Sequence, residues 1–226
     1  ALRDDVRVYA NGWNFQAFAA EDFARAAERP LADGYDALKC YPLAVPREGG
    51  GIRHVTRRMV DRAFADLAFE RVRALRRFIG PEVEIMLDLS GGLTADETIR
   101  LCRRWEDLDI LFVEEPCDPS DLGALEKIAG AIAIPIALGE RLYTRFGFRP
   151  TLETGAADIV QPDIGNTGGI GEAKKIAAMA EAWGMRVQPH ICGSPVSTAA
   201  ALQLDACLPS FFIQELYPYR PDEHCA

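Results

Sequence analysis

The stretch Ile110-Leu111-Phe112-Val113-Glu114-Glu115-Pro116 decides the fold: a short apolar run stops on acid. The same event occurs upstream, in Val83-Glu84-Ile85-Met86-Leu87-Asp88. It occurs again downstream, in Ile134-Pro135-Ile136-Ala137-Leu138-Gly139-Glu140. Each run has the length of a buried strand. Asp88, Glu114 and Glu140 are evenly spaced, 26 residues apart in both intervals (88 to 114, 114 to 140). One strand, one helix and two loops fill such an interval. If the runs are parallel neighbours in a barrel, all three side chains emerge at one mouth. Three oxygen donors converging there suit a hard cation, Mg2+ before others.

Working outward, the alternation continues. Further strands are expected at Arg7–Ala10, Ala37–Tyr41, Ile159–Gln161, Arg186–Pro189 and Phe211–Gln214, making eight with Glu84–Asp88, Leu111–Glu114 and Ile136–Leu138. Helical patterns lie between them near 20–32, 56–78, 95–107, 120–131, 149–155, 170–183 and 197–208. Gly34, Gly80-Pro81, Gly155 and Gly184 each follow a helix, where a left-handed C-cap belongs. Thr94 with Glu97 reads as a capping box. Repeated βα units imply a parallel sheet. Eight of them in about 210 residues suit a (β/α)8 barrel better than an open sheet, the alternative on pattern alone. Asn11-Gly12-Trp13-Asn14 after the first strand is not a glycine-rich phosphate fingerprint, so a dinucleotide site lacks support. Val45-Pro46-Arg47-Glu48-Gly49-Gly50-Gly51 reads as a flexible loop on the presumed active face, a lid or a solvated insertion.

The bulk numbers exclude more than they select. The 226 residues suffice for one barrel domain, residues 1–226, and 49% hydrophobic content is that of a globular protein. Net charge is −9, which argues against nucleic acid as a partner. No apolar run has the roughly 18 residues of a membrane helix, and no secretory leader pattern opens the sequence. Cys40, Cys102, Cys117, Cys192, Cys207 and Cys225 are scattered without a CxxC pair, so reduced thiols and a cytoplasmic location are expected. The sequence opens on Ala1 rather than Met, as a processed or partial chain would.

Barrel enzymes carry their chemistry at the carboxyl ends of strands. Polar groups stand at nearly every such end here: Lys39 and Tyr41, Asp88 and Ser90, Glu114 and Glu115, Glu140 and Arg141, Gln161 and Asp163, His190, and Gln214 and Glu215. One charged strand end is commonly a solvated rim residue; a full ring of them is not explained by packing. Asp163 precedes His190 by one strand, so its carboxylate is placed to orient the imidazole and raise its pKa. Glu115 should face away from Glu114, toward a salt bridge.

These residues resemble the barrel domain of the enolase superfamily, in its mandelate racemase and muconate lactonizing enzyme-like branch. The resemblance rests on Leu87-Asp88, Phe112-Val113-Glu114-Glu115-Pro116, Leu138-Gly139-Glu140-Arg141, Gln161-Pro162-Asp163 with Thr167-Gly168-Gly169-Ile170, and Pro189-His190. It runs from about Arg7 to Tyr217. Gly139-Glu140-Arg141 and Gln161-Pro162-Asp163 look most like the acid-sugar dehydratases. The resemblance implies Mg2+ held by Asp88, Glu114 and Glu140, and a substrate carboxylate whose neighbouring proton is removed. It implies His190 as base with Asp163 as its partner, and a protonated Glu215 that hydrogen-bonds the substrate carboxylate. Lys39 would assist that carboxylate electrostatically, and Arg141 would bind substrate or balance the acids. It also implies an N-terminal capping domain that this chain lacks, so the chain is expected to be partial, and a homo-oligomer, dimer or octamer.

The departure is at Lys39-Cys40-Tyr41. Many members carry a second lysine where Tyr41 stands, as a base on the opposite face. A tyrosine with the usual pKa near 10 is a poor base, though it can donate a proton. Racemisation needs two bases, so the expectation is one-base chemistry: Mg2+-dependent dehydration of an aldonate or aldarate, a small hydroxy-carboxylate. The alternatives are a racemase, epimerase or cycloisomerase on the same scaffold, and a non-catalytic metal-stabilised barrel. Some dehydratases add a histidine two residues after the first ligand; that position here is Ser90.

Overall fold

The computed structural model describes residues 1–48, 51–54, 58–192 and 194–219. Its eight-stranded sheet contains β1 (Val8–Ala10), β2 (Ala37–Cys40), β5 (Glu84–Asp88), β6 (Ile110–Glu114), β7 (Ile136–Leu138), β8 (Ile159–Val160), β9 (Arg186–Val187) and β10 (Gln214–Leu216). The remaining two strands, β3 (Ala44–Pro46) and β4 (Ile52–His54), pair separately as an antiparallel ribbon. Every pairing within the large sheet is parallel, and its order is β10-β1-β2-β5-β6-β7-β8-β9. Val187 of β9 bridges Phe211, just ahead of β10, and Phe212 N donates to Val187 O at 2.9 Å. That contact joins the last strand to the first and closes a (β/α)8 barrel.

Helices α1 (Ala20–Ala26), α2 (Glu28–Ala32), α3 (Arg62–Ile79), α4 (Ala95–Trp105), α5 (Leu122–Ala129), α6 (Thr144–Thr154), α7 (Ile164–Thr167), α8 (Ile170–Ala182) and α9 (Pro195–Asp205) connect the strands. Their apolar faces pack on the strands' outer faces: Val72 and Leu75 of α3, Leu101 and Trp105 of α4, Leu125 and Ile128 of α5 are all buried with Ile85, Leu87 and Val113. Among the described residues no helix is long and apolar enough to cross a membrane. Cys40, Cys102 and Cys117 are buried thiols whose pKa burial pushes up to about 12, leaving them unreactive.

Several expectations need correction. The stretch 45–51 is not simply a loop, because both its flanks are strands of the β3–β4 ribbon; residues 49–50 lie outside the described residues. The helix expected from residue 56 starts at Arg62, where the Asp61 carboxylate accepts from Phe64 N; residues 56–57 are not described. The 20–32 segment is two helices, and α6 begins five residues early, running through Pro150. Phe211–Gln214 is shifted, since the strand proper is Gln214–Leu216. Thr94 caps α4, accepting from Glu97 N at 3.4 Å, but the reciprocal half of the capping box is missing. Glu97 instead accepts from Val60 N and pairs with Arg100.

Candidate active site at the barrel mouth

Strand alternation builds the barrel interior in tiers. Tyr9, Ala37, Met86, Phe112, Ala137, Ile159 and Ile213, one from each of seven strand segments, form a buried apolar plug. Side chains two residues on share that face. They are Asn11, Lys39, Asp88, Glu114, Gln161 and Glu215, all buried and all polar. One further step brings Tyr41, Ser90, Arg141 and His190, which line a mouth cavity of about 370 Å3 together with Glu140 and His54. The plug holds the polar tier out of bulk water from below; the tier above it opens to the mouth.

Lys39 is the centre of the buried tier. Its ammonium lies 2.6 Å from Glu114 Oε1, 2.8 Å from Glu215 Oε1 and 3.7 Å from Asp88 Oδ2, with no exposed surface. Burial disfavours its charge, but Glu114 and Glu215 outweigh that and hold its pKa well above normal. Lys39 therefore neutralises the acids beneath the mouth. It sits one tier below the residues that line the cavity.

The acids carry more negative charge than Lys39 balances. Burial, with repulsion from neighbouring carboxylates, raises the pKa of Asp88 and, more strongly, Glu114. Among the described residues no group of three or more His, Cys, Asp or Glu side chains is poised as a ready metal cage. Asp88 and Glu114 face Lys39, while Glu140 accepts from His190 Nε2 at 2.9 Å. The donor chemistry nevertheless fits a hard divalent cation: three carboxylates at the ends of three adjacent strands, oxygen donors only, in surplus over local positive charge.

His190 joins the mouth from the far side. Its Nδ1 lies 2.8 Å from Asp163 Oδ2, the pairing expected from the sequence. Burial opposes protonation of the ring, but Glu215, Asp163 and Glu140 outweigh it and raise the pKa well above normal. His190 and Lys39 in turn hold Glu215 ionised against its burial. Glu215 accepts from Asn11 Nδ2 at 2.7 Å and Ile191 N at 2.9 Å. Lys39, His190 and two N–H donors thus surround the Glu215 carboxyl and favour its ionised form.

Tyr41 accepts from Asn11 Nδ2 at 2.8 Å and shares a hydrogen bond of 2.9 Å with Tyr217. Burial first, then Asp88 and Glu215, raises its pKa well above 10, against the pull of Lys39. Glu115 faces away from the mouth, with a left-handed φ of 46°. It accepts from Gly139 N at 3.0 Å and pairs with Arg141 at 2.9 Å. Arg141 thus has a structural partner while its guanidinium still reaches the cavity. Two glycines make room: a Cβ at Gly91 would sit 1.7 Å from the Arg141 guanidinium, and one at Gly139 2.8 Å from Phe148. The sequence reading missed Asn11, Tyr217 and His54. Asn11 had a signal, one position past a strand end; His54 had none, since its strand was not foreseen.

The arrangement is that of a barrel enzyme whose mouth gathers carboxylates on one side and an imidazole–carboxylate pair on the other. The chain belongs to the enolase superfamily: residues 22–225 match the family "Enolase C-terminal domain-like". Its likenesses fall in the mandelate racemase and muconate lactonizing enzyme-like branch. It is 34% identical to D-gluconate dehydratase of Thermoproteus tenax, over 97% of this chain and 42% of that protein. It is 41% identical to D-galactonate dehydratase of Variovorax paradoxus, over 95% and 53%. It is 34% identical to D-galactarolactone cycloisomerase of Agrobacterium fabrum, over 91% and 50%. A crystal structure of a provisionally assigned dehydratase from Mesorhizobium loti superposes with a TM-score of 0.91 at 57% identity, over 96% of this chain and 56% of that one. The chain spans about half the length of the curated relatives it matches.

Proposed function

We propose that the protein is a Mg2+-dependent dehydratase of an acid sugar, an aldonate or aldarate. The observation that carries this reading is the Asp163–His190 pair, whose Nε2 meets Glu140 in a mouth lined with acid. The names of the D-gluconate and D-galactonate dehydratases among the relatives support it. Asp88, Glu114 and Glu140 are the residues that would hold Mg2+. When bound, the cation supplies the concentrated positive charge that a carboxylate needs while it becomes an ene-diolate.

The chain's own residues supply the proton transfers. Asp163, bonded to Nδ1, fixes the imidazole so that Nε2 faces the mouth. Nε2 shares a proton with Glu140 at 2.9 Å, and it would act as base once Glu140 is engaged by a bound cation and that proton has left; the ring then takes the α-proton. The imidazolium then gives its proton to the departing β-hydroxyl, and a 2-keto acid forms after tautomerisation. Lys39 and Asn11 hold Glu215 and Glu114 in place beneath the reacting carbons. The partner is a small hydroxy-carboxylate, not nucleic acid or a membrane, and the protein assembles as a homo-oligomer, dimer or octamer. A screen of acid sugars with Mg2+, read as 2-keto acid, tests the reading. One strong hit that disappears in His190→Asn is expected; a blank screen would overturn it.

The second reading is an epimerase or cycloisomerase on the same scaffold, favoured by the named D-galactarolactone cycloisomerase. Proton exchange at the α-carbon without water loss would select it.

A further inference from the structure

The β3–β4 ribbon brings a second imidazole to the mouth. His54, at the end of β4, lines the same cavity as His190. Its Nδ1 is 2.8 Å from Ser90 Oγ, and its ring packs edge-on against Tyr41, with 5.3 Å between centroids. Ser90 follows β5 and His190 follows β9. In the closed order of eight strands these are four places apart, so the two imidazoles approach the mouth from opposite walls.

Ser90 positions the His54 ring. Ser90 is held in a left-handed conformation, φ 55°, with its N–H donating to Asp88 Oδ1 at 2.8 Å. Its hydroxyl reaches the same oxygen at 3.1 Å. The Ser90 hydroxyl thus lies between Asp88 Oδ1 and His54, with Nδ1 the nearer ring nitrogen at 2.8 Å and Nε2 at 3.4 Å. Asp88–Ser90–His54 is thus a relay that orients one imidazole, as Asp163 orients the other.

We propose that His54 is a second catalytic base, serving the face of the substrate turned away from His190. The proposal rests on the acid-sugar reading of the site. It restores at a different place the second-face base that is absent at Tyr41. The step balances simply. Nε2 takes the proton from the α-carbon, the C–H pair moves into the ene-diolate, and the proton returns to that carbon or to solvent. The consequence is a further activity: both configurations at the α-carbon are deprotonated, so α-epimers exchange their protons as well as eliminate water.

The test uses the full-length protein with Mg2+ in D2O, and D-galactonate with its C2 epimer D-talonate. The wild type is expected to act on both, by exchange at C2 or by dehydration. His54→Asn should shift the ratio of the two rates by about 100-fold or more, the scale of one proton-transfer group, and His190→Asn should shift it in the opposite direction. A merely structural His54 would depress both epimers together. Nitrogen-15 spectra of the ring, free of substrate and assigned with His54→Asn, should show Nδ1–H and a bare Nε2. An unchanged ratio, action on only the epimer that His190 serves, or an Nε2–H ring overturns the proposal. If no acid sugar reacts in the wild type, the dehydratase reading falls instead, and the ring tautomer alone decides this proposal.

Discussion

Lys39 Nζ stands 2.6 Å from Glu114 Oε1, and neither side chain has any surface exposed to water. An ion pair so buried gains little net stability when whole, because both charges give up their hydration. Removing one partner is far worse, since it strands the other. Lys39→Met would leave Glu114 and Glu215 without their cation. We expect a loss of about 3–5 kcal/mol in unfolding free energy, read from a shifted denaturant midpoint. An unchanged midpoint would mean that Lys39 is not the counter-ion of this tier.

His190→Asn keeps the size and one hydrogen bond of the imidazole but cannot take a proton. Dehydration should fall by roughly 10²–10⁴-fold with the melting temperature nearly unaltered. Asp163→Asn should cost less, since it disorients the base without removing it. Equal losses from both would show that orientation, not proton transfer, is what the pair provides.

Mg2+ should stabilise the folded state through linkage, by about 2.7 kcal/mol when the ion is present at 100 times its dissociation constant. The rise in melting temperature should be absent in Glu140→Gln and in Asp88→Asn. A chelator that leaves the melting temperature of the wild type unmoved, in protein that held the ion, would contradict the assignment of these ligands.

Far from the mouth, Asp205 at the end of α9 is fully buried, and neither carboxylate oxygen has a hydrogen-bond partner. Burial raises its pKa to about 8, against a weak pull from Arg3. The folded state therefore binds this proton more tightly than the unfolded chain. The group's stabilising contribution is whole below about pH 4 and is lost as pH rises through about 8. The loss is on the order of 4–6 kcal/mol. Asp205→Asn should flatten the fall in stability between pH 5 and pH 8.5, measured by denaturant unfolding. A slope equal to the wild type's would show that Asp205 is ionised throughout.

Much of this was legible because strand ends carry the chemistry. Asp88, Glu114 and Glu140 each close an apolar run, so one spacing located both the strands and their acids. Asp163 and His190 followed from the same logic. Strand bounds were less readable at β8 and β9, two residues each, where a buried parallel strand shows no alternation to count. What the sequence could not show was pairing across the barrel. Lys39 stands 75 residues from Glu114 in the chain and meets it only inside the barrel, so nothing local marks it as a counter-ion. The groups around Glu215, namely Lys39, Asn11 and Ile191 N, likewise come together only in the fold. His54 was hidden by Gly49-Gly50-Gly51, whose loop character masked a strand on each side.

The most direct test of the account follows an acid sugar deuterated at its α-carbon through conversion by the full-length protein with Mg2+. If His190 removes that proton ahead of water loss, the 2-keto acid forms with a primary isotope effect, the deuterium leaves C2, and both signals vanish in His190→Asn. Loss of water at the same rate from labelled and unlabelled substrate, undiminished in His190→Asn, would contradict it.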